Sequence, residues 1–453
     1  MVFALVSLPL LGSFVVLLAL GPLPEQRVAG QLALGLAGLA WLTAVFFARR
    51  VRDGRTVVWV VGVVAVALRL FVGAAQPELS DDVHRYVFEG ALVAEGQSPF
   101  AYAPSDPARE AFRETWRATY ARINHPEVSA AYPPLAQAAF AGVVAATGAR
   151  DEGARAVRGL RCFFGLCDLG VGALLFALLA RRGRPLALAC VWAWSPLVVL
   201  EYAGSAHLDA LALLFLVAGL LLFVRARDGG AGRARRKAGA MALLGAGAGV
   251  KLLPVVALPF LLRDVRRPLQ AALVFGATFL VPVLVIGALE GGYRGLGSGL
   301  GEYALRWESF NLVFRWIEAP FDAFLSRDGS LFDARRVARA VVGALFLALL
   351  ARNFFGRVDA LRATGLALAA FLVLTPTLHP WYLTWILPFL ALELSVAWLF
   401  LAAAAPLLYW PLTEWRAYAE WREPAWLWPA VAVPFFLLLG FEAWRRRGGR
   451  GLA

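Results

Sequence analysis

The sequence predicts an all-α protein that crosses a membrane many times, with residues 1–453 forming a single domain. Of its 453 residues, 60% are hydrophobic and 17% are charged, which is too little charge to cover the surface of a soluble domain. Apolar runs of roughly 15 to 21 residues recur along the chain, and short arginine-rich segments separate them. Because about 20 apolar residues span a bilayer as one helix, we expect about 11 to 13 membrane segments.

The positions of the arginines indicate the orientation. Basic clusters follow the apolar runs 28–48, 208–224 and 427–443, and such clusters remain in the cytoplasm. We therefore expect a multi-pass protein of the inner (plasma) membrane with both termini in the cytoplasm. Two long polar segments, residues 76–132 and 290–336, are then outer loops. The remaining predicted spans are residues 2–21, 56–75, 135–149, 160–180, 186–200, 269–289, 337–351 and 363–378.

Two apolar stretches are too long for one span and too short for two. Residues 238–262 lie between basic loops, and if both loops are cytoplasmic the stretch must be a short hairpin with its turn near Lys251. Residues 381–409 pose the same alternative, with Glu393 as the turn. Whether each stretch is a single span or a hairpin stays open.

The count of crossings leaves another choice in the first half of the chain. Tyr132 and His207 are both expected outside, so an even number of crossings must separate them, whereas the sequence shows three apolar runs. One run, residues 135–149 or 186–200, therefore does not span the membrane fully. The arginines nearby do not decide which.

Residues 108–123 of the first outer loop predict an amphipathic helix. Phe112, Trp116 and Tyr120 recur every four residues among arginines, which suits a helix lying in the plane of the membrane interface. An ordinary helix whose aromatic face packs on its neighbours explains the pattern equally well.

Charge and cysteine content exclude other classes of protein. The formal net charge is +13, but the arginines lie in short loops between apolar runs, so we expect no nucleic-acid partner. Cys162, Cys167 and Cys190 all lie inside apolar runs. This indicates packing residues and argues against a disulfide framework or a cysteine metal site.

Two adjacent carboxylates, Asp81 and Asp82, follow the third apolar run. An aspartate at the centre of a membrane helix costs roughly 3 kcal/mol, so a chain that keeps two beside lipid usually has a use for them. One can act as general base on an acceptor hydroxyl while the other tunes its pKa or holds a cation. The alternative is that they cap the start of a helix.

Further polar residues lie within or between the apolar runs. Lys251 suits contact with a phosphate, although its ammonium could instead extend to the membrane interface. Glu201, His207 and Asp209 bracket an outer turn. His207 and Asp209 could bind sugar hydroxyls, hold a metal or cap the helix that follows, and these alternatives stay open.

A polar and aromatic cluster comes late in the chain. His379, Trp381 and Tyr382 lie at a helix break in the expected outer half of the protein. The aromatic rings could stack on the face of a sugar or belong to the interfacial belt of a membrane protein.

Taken in order, these motifs resemble the GT-C superfamily of integral-membrane glycosyltransferases, and most closely the bacterial polyprenyl-phosphate-mannose-dependent mannosyltransferases and glycosyltransferase family 87. The likeness extends over most of residues 56–400. It departs from the family where Phe88-Glu89-Gly90 replaces Trp-Asp-Gly and where the second outer loop is one residue longer. The motifs are Arg69, Ser80-Asp81-Asp82 with Arg85 and Tyr86, Gly96-Gln97-Ser98-Pro99-Phe100 with Tyr102 and Pro104, Tyr132-Pro133-Pro134, His207-Leu208-Asp209-Ala210, Lys251 with Pro254, Trp307 with Asn311, and His379-Pro380-Trp381-Tyr382.

The resemblance implies an inverting glycosyltransferase that takes a sugar, mannose or another hexose, from a polyprenyl-phosphate-linked donor on the outer face of the membrane. The acceptor is expected to be a glycan or a lipid of the cell envelope. No cofactor is implied, although a divalent cation is compatible with the acidic pair. The implied base is Asp82, with Asp81 beside it. The implied contacts to the donor phosphate are Lys251, His379 and Arg85, and those to the sugar or acceptor are His207, Asp209, Tyr86, Trp381, Tyr382 and Asn311.

Two other functions remain open. A transporter or flippase for a lipid-linked or anionic substrate could hold phosphate with the same cations. It would need ionisable groups on both sides of its gate, whereas those other than arginine lie mostly outside, and the chain has no clear internal repeat. The third alternative is an assembly subunit without catalytic activity.

Overall fold

The computed structural model describes residues 2–75, 79–149, 153–227, 230, 232–327, 332–418 and 420–448. In this part of the chain the backbone forms helices and turns, and β-type pairing is limited to an isolated bridge between Gln97 and Glu290. The prediction of an all-α protein is therefore confirmed. Residues 76–78 and 328–331, which belong to the two predicted outer loops, lie outside the described residues.

The long helices confirm that the protein is a polytopic membrane protein. Among the described residues, nine helices are long and apolar enough to span a bilayer, and a tenth if the bent pair Leu186–Ala193 and Pro196–Gly204 is one span. The larger number of segments that the sequence predicts includes four shorter apolar helices, Pro134–Thr147, Leu253–Arg263, Ala360–Leu374 and Pro380–Leu392. The nine long spans are Phe3–Leu20, Val28–Ala48, Arg55–Ala74, Ala154–Arg181, Asp209–Arg227, Pro268–Gly287, Ala334–Phe355, Val396–Tyr418 and Leu427–Arg447.

Residue contacts divide the chain into two compact units. The first unit consists of Met1–Leu79, Leu175–Leu200 and Glu308–Ala453, and the second unit of Ser80–Leu174 and Glu201–Trp307. The single domain that the sequence predicts stays a prediction. Each unit combines segments that are distant along the chain. Each unit therefore requires long-range contacts to form.

The first unit contains the N-terminal helices, a bent segment and the C-terminal helices. Its helices before residue 200 are Val2–Val6, Leu8–Leu20, Leu23–Glu25, Arg27–Ala48, Arg55–Ala75, Leu186–Ala189, Cys190–Ala193 and Pro196–Val199. After residue 308 they are Phe314–Asp322, Ala334–Phe355, Ala360–Leu374, Pro380–Ile386, Leu387–Leu392, Val396–Ala404, Ala405–Tyr409, Trp410–Tyr418 and Leu427–Gly448.

Side chains of the first unit satisfy the backbone where the bent segment is interrupted. The short helix Cys190–Ala193 ends before Ser195. The Trp194 N–H still donates to the Cys190 carbonyl and the Ser195 N–H to the Trp192 carbonyl, both at 3.1 Å, whereas the Ala193 carbonyl needs a donor from elsewhere. The buried guanidinium of Arg69 donates to the Ala193 carbonyl, and the Trp41 indole N–H donates to the Cys190 carbonyl at 3.1 Å. These bonds give Arg69, a member of the motif series, a structural role.

Residues 381–409 form a hairpin with Glu393 at its turn, and the hairpin is one of the two alternatives that the sequence leaves open. Helix Leu387–Leu392 ends at Glu393, helix Val396–Ala404 runs back, and the flanking segments Pro380–Ile386 and Ala405–Tyr409 contact each other. Glu442 stabilises the turn by accepting hydrogen bonds from the Ser395 hydroxyl at 2.8 Å and from the Ala397 N–H at 3.2 Å.

The second unit is formed by the acidic-pair helix, its following loop and four long helices with their connections. Its helices before residue 205 are Asp82–Ala94, Pro107–Arg109, Glu110–Thr115, Arg117–Tyr120, Pro134–Thr147, most of Ala154–Arg181 and the π-helical turn Leu200–Gly204. After residue 205 they are Asp209–Arg227, Arg233–Val250, Leu253–Ala257, Leu258–Arg263, Pro268–Gly287 and Ser298–Arg306.

Residues 238–262 also form the hairpin that the basic flanks favour. Helix Arg233–Val250 ends at Lys251, whose backbone is extended, and the chain returns through a 3-10 helix and a short α-helix. The return brings Asp264 back to the start, where its carbonyl accepts a hydrogen bond from Lys237 Nζ at 2.7 Å and its carboxylate pairs with Arg227 at 2.9 Å. Lys251 therefore lies at the far end of the hairpin.

The structure leaves both residues 135–149 and residues 186–200 as candidates for the run that does not span the membrane fully. Helix Pro134–Thr147 has 14 residues, and the pair Leu186–Ala193 and Pro196–Gly204 is bent by 53°, whereas Ala154–Arg181 has 28 residues. Both candidates that the sequence identifies as incomplete spans are thus short or broken.

The aromatic stripe of residues 108–123 packs against the protein. The predicted single helix is wrong, because the chain breaks at Trp116 into Glu110–Thr115 and Arg117–Tyr120. Phe112 and Trp116 are buried, and the Phe112 ring lies edge-on to Phe88 at 5.0 Å between centroids. The stripe therefore contributes to the core of the second unit, as the packing alternative predicts.

Replacing Gly90 by alanine tests how helix Asp82–Ala94 packs on helix Pro134–Thr147. A Cβ at residue 90 would lie 2.7 Å from the backbone carbon of Phe140, which cannot turn aside as a side-chain tip can. We expect Gly90→Ala to lower the free energy of unfolding by about 1–3 kcal/mol, measured by denaturation in detergent. The matched control is Gly142→Ala, where no atom lies within 4 Å of the new Cβ and helix propensity favours alanine. Equal stability of the two variants would contradict this packing.

Candidate functional site

The acidic pair lies at the start of helix Asp82–Ala94 in the second unit. Asp81 occupies the N-cap position, but its side chain accepts no capping hydrogen bond. The Asp82 N–H instead donates to Ser80 Oγ at 3.3 Å. Asn124 Nδ2 donates to both carboxylates, at 2.7 Å to Asp81 and 2.8 Å to Asp82. The amide thus fixes the pair, and side-chain capping by Asp81 is not observed.

Arg85 holds the loop that carries Asn124. Its Nε pairs with Glu89 Oε1 at 2.7 Å, and its terminal nitrogens donate to the backbone carbonyls of Asn124 and Val128. Gln137 Nε2 donates to the other oxygen of Glu89 at 2.7 Å. Because these acceptors are protein groups around a buried guanidinium, the arrangement favours a structural role for Arg85 over the donor-phosphate contact that the resemblance implies.

A buried histidine links Asp82 to a second carboxylate. His207 Nδ1 lies 2.8 Å from Glu201 Oε2, and both side chains are fully buried. On the other side of the ring, His207 Nε2 lies 3.7 Å from Asp82 Oδ2, and the Asp82 side chain is 20% exposed. The three groups therefore form a series that runs from the interior of the second unit to an accessible carboxylate.

The turn that carries His207 is strained. Glu201 belongs to the π-helical turn Leu200–Gly204, and the His207 N–H donates to the Glu201 carbonyl at 2.9 Å. Between them, Ala206 has a φ of 61°, in the left-handed region that residues with a Cβ rarely adopt. Such strain persists where surrounding contacts impose it, and it is frequent at functional sites.

The two carboxylates determine the protonation of His207. Burial alone lowers the pKa of an imidazole, but the interactions with Asp82 and Glu201 outweigh burial and raise the pKa of His207 to about 9. At neutral pH the ring is therefore an imidazolium. Its charge stabilises the ionised form of Asp82, which is the form that can accept a proton.

Lys251 reaches the same cluster from the turn of its hairpin. Its Nζ lies 2.7 Å from Asp209 Oδ1 and 5.8 Å from the centroid of the Tyr132 ring. The Lys251 side chain is 15% exposed and that of Asp209 is 1% exposed, so the lysine stands at the accessible edge. Asp209 follows His207 by two residues, and this turn brings the lysine into the cluster that contains Asp82.

Tyr86 supports the cluster from the interior. Its ring stacks on Phe140 at 4.5 Å and lies edge-on to Tyr132 at 5.6 Å between centroids. Tyr86 is fully buried, whereas Tyr132 is partly exposed. Burial therefore argues against the sugar contact that the resemblance implies for Tyr86, and Tyr132 is the better placed of the two rings.

The remaining predicted residues lie in the first unit. His379 stacks on Trp381 at 4.4 Å and lies edge-on to Tyr382 at 5.3 Å between centroids. Asn311 Oδ1 accepts the Arg315 N–H at 3.0 Å, so this amide helps to begin the helix that follows. The neighbouring backbone is joined to the His379 loop, because the Leu378 N–H donates to the Phe310 carbonyl at 2.7 Å.

The acidic pair does not have the donor set of a cation site. Among the described residues, no three histidine, cysteine, aspartate or glutamate side chains are grouped so that they could hold a metal ion. Between Asp81 and Asp82, the amide of Asn124 donates a hydrogen bond to each carboxylate. This arrangement does not fit the divalent cation that the sequence leaves open.

Sequence reasoning assigned no role to Glu201 or Asn124. Glu201 does carry a signal, since a lone carboxylate at the end of the apolar run 186–200 needs a partner if it is buried. Asn124 carries none, because it follows Asp82 by 42 residues in a polar loop. Only folding shows that its amide bridges the acidic pair.

Comparison with known proteins points to one family. The family described as "Alpha-(1->6)-mannopyranosyltransferase, N-terminal domain" matches residues 10–265, and "MptB C-terminal domain" matches residues 326–411. The chain is similar to Alpha-(1->6)-mannopyranosyltransferase A of Mycobacterium tuberculosis, with 25% identity over 452 residues that cover 92% of this chain and 81% of that protein. It is also similar to Alpha-(1->6)-mannopyranosyltransferase B of Corynebacterium glutamicum, with 24% identity over 341 residues that cover 68% and 54% of the two chains. No solved structure matches the chain.

These matches agree with the motifs. The first family covers more than half of the chain, and it confirms the membrane glycosyltransferase class that the series from the acidic pair to His379 predicts. The transporter and assembly-subunit alternatives receive no support from the matches. The chain is a multi-pass membrane glycosyltransferase and belongs to the Alpha-(1->6)-mannopyranosyltransferase family.

Proposed function

We propose that this protein transfers mannose, with inversion, from a polyprenyl-phosphate-linked donor to a hydroxyl of a glycan or lipid acceptor. The observation that carries the proposal is the accessible carboxylate of Asp82 beside the buried His207–Glu201 pair, with Lys251 in the same cluster. The names of the two relatives support mannose and an α-(1→6) linkage. Since inversion exchanges the anomeric configuration, an α product requires a β-linked donor.

Asp82 is the general base in this reaction. Its carboxylate takes the proton of the acceptor hydroxyl as the acceptor oxygen forms a bond to the anomeric carbon. The bond from that carbon to the phosphate oxygen breaks, and its electron pair leaves with the polyprenyl phosphate. The transition state resembles an oxocarbenium ion, and it needs the base and the leaving group on opposite sides of the sugar ring.

Glu201 and His207 maintain the base in its ionised form. The imidazolium lies 3.7 Å from the Asp82 carboxylate, and an opposite charge at this distance favours the ionised carboxylate. Glu201 in turn compensates the charge of the ring in the interior. His207 thus acts through Asp82, and Asp209 acts through its ion pair with Lys251.

Lys251 stabilises the departing phosphate. An ammonium can bind more than one acceptor at a time, so the ion pair with Asp209 orients Lys251 while a phosphate oxygen approaches from the accessible edge. A cation placed where charge develops lowers the barrier to departure. We retain for His379 the contact with the donor phosphate, and for Trp381, Tyr382 and Asn311 the contacts with sugar or acceptor, that the resemblance implies.

The reaction takes place on the extracytoplasmic face of the cell membrane. The arginine distribution supports this orientation. The basic loops at residues 225–237 and 263–267 lie at one end of the hairpin of residues 238–262, and Lys251 lies at the other end. A hydrophobic lipid-linked donor also explains why the enzyme is embedded in the bilayer.

Substitution of Asp82 by asparagine tests the base. We expect Asp82→Asn to lower kcat by about 10²–10⁴-fold while donor binding is retained, since an amide cannot accept the proton at neutral pH. The measurement is transfer of labelled mannose from polyprenyl phosphate mannose to a soluble acceptor by the enzyme in proteoliposomes. Asp81→Asn is the matched control, and we expect it to lower kcat less than about tenfold, because Asp82 is the carboxylate that lies 3.7 Å from His207. Undiminished transfer by Asp82→Asn would remove this assignment.

The two lysines of the chain allow a paired test of phosphate binding. We expect Lys251→Gln to lower kcat/KM for the donor by about 10²-fold, because it removes the charge that stabilises the leaving group. Lys237→Gln should leave kcat/KM unchanged, since Lys237 binds the Asp264 carbonyl at the opposite end of the hairpin. Steady-state kinetics and a thermal unfolding curve for each variant separate loss of charge from loss of folding. Equal kinetics in a folded Lys251→Gln variant would rule out the phosphate role.

The pH dependence tests the role of Glu201. The pKa of His207 in the folded protein, about 9, lies above its ordinary value of 6.5. Protonation of His207 therefore stabilises the fold fully below about pH 6.5, and this contribution is lost as the pH rises through about 9. We expect kcat/KM to fall over the same window.

Replacing Glu201 by glutamine should move this alkaline limb toward neutral pH, because the variant lacks the charge that raises the pKa of His207. A pH–rate profile of kcat/KM measures the shift. Glu114→Gln, at an exposed glutamate of the same unit, is the control and should keep the wild-type profile. An unshifted limb in a folded Glu201→Gln variant would show that Glu201 does not set the protonation of His207.

A further inference from the structure

The first unit contains a cavity of about 750 Å³, and its lining includes none of the residues that we assign to sugar transfer. Its walls come from helix Ala360–Leu374, the hairpin turned at Glu393, and helix Leu427–Gly448. The Arg182 loop closes one side. The volume is within the range of small-molecule and lipid-headgroup sites, roughly 300 to 1,000 Å³.

The cavity combines an apolar wall with a basic rim. Leu366, Ala369, Phe389, Trp398 and Leu439 are among its wall residues, and Leu366 is itself 43% exposed, so the wall opens outward. The rim carries five arginines, Arg182, Arg184, Arg362, Arg446 and Arg447, against the three carboxylates Asp359, Glu393 and Glu442. The formal excess is two positive charges.

The carboxylates of the rim are already in use. Asp359 pairs with Arg182 at 3.0 Å, and Glu393 pairs with Arg362 at 3.3 Å. Glu442 lies 3.9 Å from Arg446, but its oxygens also accept the hydrogen bonds that begin the helix Val396–Ala404.

Two of the five arginines account for the excess of positive charge on the rim. Neither Arg184 nor Arg447 has a carboxylate within 4 Å among the residues that the structure describes, and both are exposed at the mouth of the cavity. Exposed guanidinium groups above an apolar wall are complementary to a molecule with an anionic head and a hydrocarbon tail.

We propose that this cavity binds an anionic phospholipid, with the phosphate at Arg184 and Arg447 and an acyl chain along the wall formed by Leu366, Ala369 and Phe389. Free phosphate would make no use of the apolar wall, whereas a zwitterionic lipid would leave the two positive charges uncompensated. Basic residues beside membrane helices recognise anionic headgroups in this way.

The orientation of the chain agrees with such a ligand. Arg184 belongs to the short basic loop after helix Ala154–Arg181, and Arg447 belongs to the basic end of the last helix. The basic cluster at the end of the last span is expected in the cytoplasm, and Arg184 lines the same cavity as Arg447 of that cluster. The cytoplasmic leaflet is the one that concentrates anionic lipid. The proposal concerns binding and does not depend on which sugar is transferred.

The test measures lipid retained by the full-length protein. The purified chain is incorporated into nanodiscs of phosphatidylcholine that contain phosphatidylglycerol, and bound lipid is counted by native mass spectrometry after release into detergent. We expect retained phosphatidylglycerol in excess over phosphatidylcholine. The double variant Arg184→Gln/Arg447→Gln should bind it about 30-fold more weakly, since each cation near an anionic lipid contributes roughly fivefold.

Two further variants separate this site from general surface charge. Ala369→Trp fills the cavity without a change of charge and should likewise weaken the retention of phosphatidylglycerol. Arg52→Gln/Arg55→Gln removes two exposed arginines outside the cavity and should retain phosphatidylglycerol as the wild type does. If this control loses as much phosphatidylglycerol as the double variant, the lipid binds through the general positive charge of the surface, and the proposal is overturned.

Other occupants give distinct results. If glycerol phosphate, which has no acyl chain, displaces the lipid at equal concentration, the site binds free phosphate. If polyprenyl phosphate is retained in preference to phosphatidylglycerol, the cavity belongs to the carrier lipid. Either result overturns the assignment to phospholipid, as does full retention of phosphatidylglycerol by both the double variant and Ala369→Trp.

Discussion

A charged side chain inside an apolar bundle must be accompanied by an opposite charge, because desolvation of an unpaired ion costs more than the bundle can supply. The second unit meets this constraint with the buried pair of Glu201 and His207. The positive charge of His207 in this pair also acts on Asp82. The ring lies between two carboxylates that raise the pKa of His207, and its positive charge favours the ionised form of the accessible carboxylate, that of Asp82, which we propose as the general base.

The positions of these groups depend on interrupted helices. A continuous helix satisfies its own backbone and leaves no room for a turn of functional side chains. Glu201 and His207 lie on a π-helical turn and the loop after it, and Lys251 lies where helix Arg233–Val250 stops. In the first unit, the guanidinium of Arg69 satisfies a carbonyl freed by another such break. The cost of each interruption is offset locally by a side chain, and this is what allows polar chemistry inside an apolar protein.

Supporting residues are as specific as those that react. Asn124 orients both acidic side chains, and Arg85 holds the backbone of Asn124 through a guanidinium that is itself paired with Glu89. The motif series contains Arg85 beside Asp82, but a series of letters does not distinguish a residue that contacts substrate from one that orients it. Tyr86 is a second case, because its fully buried ring packs against the rings of Tyr132 and Phe140.

The sequence by itself determined the all-α membrane class, the first three spans, the two hairpin alternatives and the acidic pair, because hydrophobic runs and charge placement act locally along the chain. The tertiary structure decided what no local pattern encodes. It joined Asn124 to Asp82 across 42 residues and Lys251 to Asp209 across another 42, and it turned the aromatic stripe of Phe112 inward. The physical reason is that hydrogen bonds and ion pairs between distant segments depend on how helices pack, and packing is a property of the whole unit.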